Sequence, residues 1–171
     1  MTTLAELESA APPLAAFVAE RLERTGLCFL GTTRADGWPR VSPLEVFVLD
    51  GRIYMGSMPN AVKAQDLRRD GRCCIITPLA DKDDMAGEGK LFCRAREITE
   101  RDEWEAVRAT VKARSGFDMG EPGDSHLFTF DIEGAAWQRV EGGTTFRTTS
   151  WTPEDGIRER GRDAAGKPID M

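Results

Sequence analysis

The sequence is short of the residues that build metal sites. It contains a single histidine, and its four cysteines are not spaced as zinc ligands. The acidic run at Asp81, Asp83 and Asp84 lacks the length, the glycine and the terminal glutamate of a calcium loop. We therefore expect no bound metal ion.

Excess positive charge and long apolar runs are also absent. The 23 lysines and arginines are outnumbered by 29 aspartates and glutamates, and the net charge of -6 argues against binding of nucleic acid through a basic face. No stretch approaches the roughly 20 apolar residues that cross a bilayer. Residues 1–6 lack the basic start and apolar centre of a signal peptide. The sequence therefore predicts a cytoplasmic protein with neither nucleic acid nor membrane as a partner.

The reactive side chains that are present have ordinary structural explanations. Asp124-Ser125-His126 brings together the residue types of a serine hydrolase, but neighbours along a strand point to opposite faces. A histidine that makes an ordinary hydrogen bond at a strand edge is the favoured interpretation. We expect free, buried thiols at the four cysteines, which lie in apolar, strand-like stretches: Cys28, Cys73, Cys74 and Cys93.

Length and composition indicate one globular unit. The chain has 171 residues, of which 40% are hydrophobic and 30% charged, as is usual for a domain with its own core. We assign residues 1–152 to this domain. Residues 153–171 are charged and poor in apolar side chains, so we expect a polar C-terminal tail that is disordered or draped over a neighbour.

Hydrophobic patterning predicts short strands joined by tight turns. Asp36-Gly37 and Asp50-Gly51 are hairpin turns. They would join residues 27–34, 40–49 and 52–57 into a three-stranded antiparallel meander. Later strands are predicted at residues 72–79, 90–98, 126–132, 135–140 and 145–151, with Glu133-Gly134 as the connection between the third and fourth of these.

Three helices are predicted among these strands. The first covers residues 13–24, the second begins at a cap on Asn60 and runs to residue 69, and the third follows a capping box of Thr99 and Asp102. Six to eight antiparallel strands with an N-terminal helix and two inserted helices indicate a mainly β fold of the α+β type. A small closed or partly closed barrel fits this arrangement better than a parallel sheet.

An anion site is predicted at the start of the second helix. Gly56, Ser57 and Asn60 lead into a helix whose first turn carries Lys63, and a helix N-terminus offers free amides and partial positive charge. Arg40 and Ser42 lie two residues apart on a strand and share a face. Taken alone, this spacing is weak evidence, because a lysine in the first turn of an exposed helix is more often simply solvated. The glycines match neither the dinucleotide nor the P-loop fingerprint.

Three blocks of this sequence, in this order, resemble the pyridoxamine 5′-phosphate oxidase-like flavin-binding split barrels. They are GTTRADGWPRVSP at residues 31–43, DGRIYMG at residues 50–56 and KAQDLRRDGR at residues 63–72. The resemblance covers about residues 26–79, and the order of the later strands and helix agrees with it. It implies an antiparallel split β-barrel and a homodimer with two cofactor sites at the subunit interface. Each site would hold FMN or, alternatively, the deazaflavin coenzyme F420.

The resemblance also implies, by position, which residues contact the cofactor. Residues 40–43 would lie along the isoalloxazine and phosphate, and Gly56 and Ser57 would lie opposite. Lys63 would bind the phosphate, and Trp137 would come from the partner chain. The family often has a Ser-Arg-Lys or Ser-x-Lys run where this chain has Asn60-Ala61-Val62-Lys63, so one basic contact is missing. The implied cofactor contacts are Arg40, Val41, Ser42, Pro43, Gly56, Ser57, Lys63 and Trp137.

The expected function is that of a flavin- or deazaflavin-dependent oxidoreductase. It would transfer a hydride to or from a small hydrophobic or conjugated substrate. The cofactor supplies the chemistry in such a site, so no catalytic side chain is assigned. Two alternatives remain open: a non-catalytic protein that stores or senses flavin or haem, and an interaction module that keeps only the fold.

Overall fold

The computed structural model describes residues 2–169, which contain four helices and ten strands. The helices are α1 (Leu4–Ala10), α2 (Pro12–Thr25), α3 (Val62–Arg69) and α4 (Arg101–Ser115). The strands are β1 (Leu27–Thr33), β2 (Pro39–Glu45), β3 (Phe47–Leu49), β4 (Arg52–Ser57), β5 (Arg72–Ile76), β6 (Glu88–Glu97), β7 (His126–Glu141), β8 (Thr145–Thr152), β9 (Gly156–Arg162) and β10 (Pro168–Ile169).

The strands form one antiparallel sheet that splits along β7. Its main path runs β10-β9-β8-β7-β6-β5-β1-β2, and the β3-β4 hairpin joins it through β4. The first residues of β7 pair with β4, from Ser57↔His126 to Tyr54↔Thr129. The later residues pair with β8 instead. The predicted mainly β, antiparallel split-barrel fold is confirmed, with two more strands than expected and a sheet that does not close.

The predicted three-stranded meander is wrong. The expected strand over residues 40–49 is interrupted at Val46, which is buried and whose amide donates to the carbonyl of Gly26. β2 therefore pairs with β1, while β3 and β4 form a separate hairpin. Both turns lie where expected. At the second, Asp50 and Gly51 adopt φ of 48° and 70°, the left-handed pair that such a hairpin requires.

The expected break at Glu133-Gly134 is not a turn. β7 runs through it for 16 residues, and the pairing with β6 shifts register there, between Phe92 and Cys93. Gly134 is buried, and a Cβ atom on it would lie 3.5 Å from the Phe92 ring. Gly134 therefore lies at a β-bulge within a continuous strand, at an ordinary contact distance from Phe92.

Residues 153–169 do not form a disordered tail. β9 pairs with β8 over seven positions, from Thr152↔Gly156 to Phe146↔Arg162, and β10 pairs with β9. Most side chains of β9 are exposed, which explains why its composition resembles that of a tail. Strand pairing through the backbone requires no apolar side chains, and composition alone missed it.

The helix starts also differ from the sequence expectations. An unpredicted helix, α1, begins at a capping box in which Thr3 and Glu6 bond each other's backbone amides. Asn60 has φ of 60° and does not cap α3, which begins after Ala61. Likewise α4 begins after Glu100 without a side-chain cap, so the box expected at Thr99 is not formed. The remaining helix boundaries agree closely with the prediction.

The core has two parts. The larger lies between α2 and the curved sheet, and the smaller lies under α4 around Trp104. A layered stack closes one side of the larger core: the rings of Phe17 and Trp137 lie 4.6 Å apart, with Arg21 over the first and Arg139 over the second. In residues 2–169 no helix is both long and apolar enough to cross a bilayer.

A buried ion pair joins α2 to the acidic loop after β5. Arg21 Nη1 lies 2.6 Å from Asp84 Oδ2, and the two side chains are 4% and 10% exposed. The hydrogen bond from Arg21 lowers the pKa of Asp84 to about 2. The residue expected in a solvated loop is therefore an anchor for that loop.

Arg21→Met is expected to lower the free energy of unfolding at pH 7 by about 3 kcal/mol, because it leaves a buried carboxylate without its partner. The wild-type pair stabilises the fold above about pH 4 and loses its effect as the pH falls toward the folded-state pKa of Asp84. The difference between wild type and variant should therefore shrink in acid, which urea unfolding at pH 7 and at about pH 2.5 measures. Asp83→Asn, in an exposed pair with Lys82, is the control. A variant as stable as the wild type at pH 7 would contradict the assignment.

Candidate functional site

The start of α3 presents unpaired hydrogen-bond donors. Lys63 is the second residue of the helix and is half-buried. Within residues 2–169, its ammonium group forms no ion pair, and the backbone amides of Val62 and Lys63 have no hydrogen-bond acceptor. Such amides carry the positive end of the helix dipole. Together they form a donor-rich site suited to an anion.

The end of β4 borders the same place. Gly56, Ser57 and Lys63 line one small space between β4 and α3. A Cβ atom on Gly56 would meet no described atom within 4 Å, so a ligand can approach the backbone there. The Ser57 hydroxyl is buried and makes no hydrogen bond with residues 2–169. The structure therefore brings together three of the predicted site residues around one small space.

Asp66 fixes the position of α3. Its side chain is 3% exposed and accepts hydrogen bonds from Thr32 Oγ1 at 3.0 Å and Arg40 Nε at 2.7 Å. Arg69, in the next turn of the helix, donates to its other oxygen and to the carbonyl of Thr33. Burial raises the pKa of Asp66, but the bonds from Arg40 and Thr32 outweigh it, and the pKa lies below its ordinary value. One ionised carboxylate thus joins α3 to β1 and β2.

Arg40 is held at the edge of the site by this contact. Its Nε is occupied by Asp66, while neither Nη atom makes a hydrogen bond with any described residue. The side chain is 28% exposed. Along β2, Arg40 and Ser42 share the half-buried face, whereas Val41 and Pro43 lie on the exposed face. The structure therefore does not bring the side chains of Val41 and Pro43 to the donor-rich site at α3.

Trp137 lies away from this cluster within the chain. It sits far along β7, opposite Gly89 and Thr149, and its ring packs on Phe17. Its indole nitrogen donates to the carbonyl of Ala86 at 2.8 Å. Its contact with a cofactor from the partner chain stays a prediction.

A second polar network lies on the other side of α3. Arg68 donates to both oxygens of Glu97, at 2.5 and 2.8 Å, and His126 Nδ1 lies 2.8 Å from Glu97 Oε1. The sequence interpretation of His126 as an ordinary hydrogen-bonded histidine agrees with this contact. Ser125 instead donates to the carbonyl of Met119, and the three residues 124–126 form no hydrolase triad.

An apolar cleft of about 300 Å³ opens beside the same end of β4. One wall is the loop of residues 116–125, whose Phe117 is exposed and whose Met119 is buried. Glu45 is the only charged side chain among its lining residues. The cleft is lined by Glu45, Phe47, Gly56, Ser57, Met58, Pro59, Phe117, Met119 and Ser125.

Sequence reasoning missed Asp66, Arg68, Glu97 and His126 as parts of the site. A usable signal existed for Asp66, because it falls on the buried face of α3 between Ala64 and Leu67. A carboxylate on such a face needs partners. Glu97 and His126 offered no such signal, since they meet only through the pairing of β6 with β7.

Several solved structures share this fold at low sequence identity. Campylobacter jejuni ChuZ matches with a TM-score of 0.69 and 11% identity, over 98% of this chain and 70% of that one. A Clostridium acetobutylicum protein related to general stress protein 26 matches with a TM-score of 0.60 and 14% identity, over 80% of this chain and 92% of that one. HutZ, the heme storage protein of Vibrio cholerae, matches with a TM-score of 0.56 and 22% identity, over 72% of this chain and 90% of that one. These identities establish the fold alone.

Sequence comparison is more specific. A search among curated proteins finds no match. The family model described as pyridoxamine 5′-phosphate oxidase, however, matches residues 14–138, which include β1 to β6, the donor-rich site at α3 and most of β7. The chain therefore belongs to the pyridoxamine 5′-phosphate oxidase family.

Proposed function

We propose that the chain is a flavin- or deazaflavin-dependent oxidoreductase that transfers a hydride to or from a small hydrophobic or conjugated substrate. The observation that carries the proposal is the unpaired Lys63 beside free amides at the start of α3. A buried or half-buried cation without a counter-ion in the protein favours an anionic ligand. Family membership makes a flavin phosphate the anion to test first.

The residues present fit such a cofactor. Lys63 and the amides of Val62 and Lys63 would hold the phosphate, with the free Nη atoms of Arg40 at the rim. Gly56 leaves room for close approach along the end of β4. A bound FMN or F420 would supply the ring that accepts and releases hydride, while the protein orients it and sets the charge around it. FMN is the first candidate, with F420 as the alternative.

The apolar cleft suits the substrate. It adjoins Gly56 and Ser57, so a molecule within it would lie next to a cofactor held at the start of α3. Its volume and lining are typical of a site for a small, largely hydrophobic molecule. Orientation in an apolar, water-poor cleft is the protein's contribution to hydride transfer.

We also propose that the protein is a homodimer. An exposed apolar surface crosses the outer face of β2, β1, β5 and β6, where Val41 is 64%, Phe92 48% and Phe29 41% exposed. Register places Pro43 beside Phe29 and Val41 beside Gly31, so these side chains are contiguous. A surface of this kind on a soluble chain favours association, and identical chains bury it by two-fold symmetry.

The cytoplasm is the compartment we propose for this protein. All four cysteines are free thiols in the structure. Burial raises the pKa of Cys28 and of Cys73 to about 12, which keeps these thiols protonated and unreactive.

A second candidate function is haem binding without catalysis. The fold is shared with the heme storage protein HutZ and with a heme binding protein of Mycobacterium smegmatis. The sequence offers one histidine for an axial ligand, and the Nε2 atom of His126 is buried. Haem ligation through this histidine would require the start of β7 to open so that Nε2 becomes accessible.

Lys63→Ala is expected to weaken FMN binding by about ten- to a hundredfold, because a charged hydrogen bond to phosphate is lost. Titration of the apoprotein followed by flavin fluorescence measures the dissociation constant. Lys82→Ala, at an 86% exposed side chain in the loop after β5, is the matched control. Equal FMN affinity in wild type and Lys63→Ala would remove the phosphate site.

Two further outcomes separate the candidate functions. Haem binding without flavin binding would favour the second candidate. Flavin binding without hydride exchange with a reduced nicotinamide donor would favour a carrier.

Val41→Glu is expected to convert the dimer to monomer, because it places a charge within the apolar surface at its most exposed strand residue. Sedimentation equilibrium should give twice 18.9 kDa for the wild type and 18.9 kDa for the variant. Met85→Glu changes an exposed apolar residue outside this surface and should remain dimeric. A wild type that is monomeric at all concentrations would overturn the proposed dimer.

A further inference from the structure

A single carboxylate stands in the apolar cleft beside β4. Glu45 is the only charged side chain among the lining residues, and within residues 2–169 its carboxylate forms no ion pair. The two carboxylates that flank α3, Asp66 and Glu97, are by contrast each paired with an arginine. The cleft therefore contains one negative charge that no neighbouring side chain compensates.

The backbone holds Glu45 at this place. It is the last residue of β2, where it pairs with the first residue of β1. The next residue, Val46, is buried, and its amide donates to the carbonyl of Gly26 at 3.0 Å. Phe47 then pairs with Tyr54 in the β3-β4 hairpin. Glu45 and Phe47 thus line the cleft from fixed backbone positions.

The other walls suit a cation better than an anion. Phe47 and Phe117 offer phenyl rings, which attract a cation over their faces, and Met58 and Met119 offer polarisable thioethers. No lysine, arginine or histidine is among the described lining residues, and the hydroxyl of Ser125 already donates to a backbone carbonyl. An anionic group would therefore find no counter-charge in the cleft, whereas a cationic group would find a carboxylate and aromatic rings.

The charge of the cleft is opposite to that of the donor-rich site at α3. Lys63 and the free amides of the helix attract an anion, and Gly56 and Ser57 separate that site from the cleft that contains Glu45. Specificity comes from rejecting the wrong ligand as well as from binding the right one. Neighbouring sites of opposite charge therefore keep two ligands apart, because each repels the ligand of the other.

We propose that the substrate of the apolar cleft is a small organic cation with an apolar or aromatic body, whose positive group lies against Glu45. This inference rests on the proposed oxidoreductase function, which assigns the cleft to the substrate. The apolar walls hold the body of the molecule, and the carboxylate with the phenyl rings selects its charge. A neutral molecule of the same shape binds through the walls alone, and an anionic one is repelled.

Three probes of similar shape and different charge test this inference: benzylammonium, benzyl alcohol and benzoate. Their dissociation constants are measured by calorimetry on the FMN-loaded protein at one fixed ionic strength, because exposed ion pairs are screened by salt. Benzylammonium should bind about tenfold more tightly than benzyl alcohol, since a part-exposed ion pair and a cation–π contact each contribute a few-fold. Benzoate should bind more weakly than benzyl alcohol.

Substitutions of Glu45 assign the preference to its carboxylate. Glu45→Gln should weaken benzylammonium binding about fivefold and leave benzyl alcohol binding unchanged. Glu45→Lys should reverse the order, so that benzoate binds more tightly than benzylammonium, a gain that a misfolded variant cannot show. Glu154→Gln, which removes an exposed carboxylate from the turn between β8 and β9, is the matched control and should behave as the wild type.

The outcomes distinguish this inference from the function on which it rests. Equal binding of benzylammonium and benzyl alcohol by the wild type, a preference for benzylammonium that persists in Glu45→Gln, or no binding of any probe would each overturn the cationic substrate while FMN binding stands. A wild type that binds no FMN would overturn the proposed function, and the same comparison on the flavin-free protein would then decide the charge preference of the cleft by itself.

Discussion

The buried carboxylate of Asp66 sets the geometry on which the site depends. A charge so enclosed is tolerated only when it is surrounded by donors, and Thr32, Arg40 and Arg69 supply them from β1, β2 and the helix itself. The opposite side of α3 is joined to β6 through Arg68 and Glu97. Because both sides of this short helix are tied to the sheet, its first turn, with the free amides and Lys63, is held at a fixed place at the end of β4.

The end of β4 lies between the two sites. β7 leaves β4 after Thr129, opposite Tyr54, whereas Gly56 and Ser57 at the end of β4 stay paired with Leu127 and His126. The donor-rich site and the apolar cleft share Gly56 and Ser57. A polar site for an anion thereby adjoins an apolar site for a small molecule, an arrangement that suits group transfer between a held cofactor and a bound substrate.

Local patterns predicted the local parts of this structure. The two Asp-Gly turns, the helix α2 and the shared face of Arg40 and Ser42 depend on neighbouring residues, and these features were correct. The pairing of β4 with β7 and the contacts of Asp66 and Glu97 join residues 26 to 76 positions apart, so no short window of sequence contains them. The bulge at Gly134 was mistaken for a turn because glycine is common in both, and only the continuous pairing of β7 with β6 distinguishes them. The resemblance at residues 26–79 located the helix of the site but not the residues that fix it.

The loop of residues 116–125 is tied to the molecule quite differently from α3. The ion pairs from Arg108 to Asp118 and Glu121 lie at the surface, with acceptor side chains 39% and 57% exposed. Met119 is instead buried in the smaller core, and the carbonyl of Gly120 accepts from the indole nitrogen of Trp104 at 3.3 Å. Surface pairs contribute little to stability and weaken as salt is added, whereas apolar burial is not screened. Added salt should therefore loosen the contacts of Asp118 and Glu121 while Met119 keeps this wall of the cleft packed against α4.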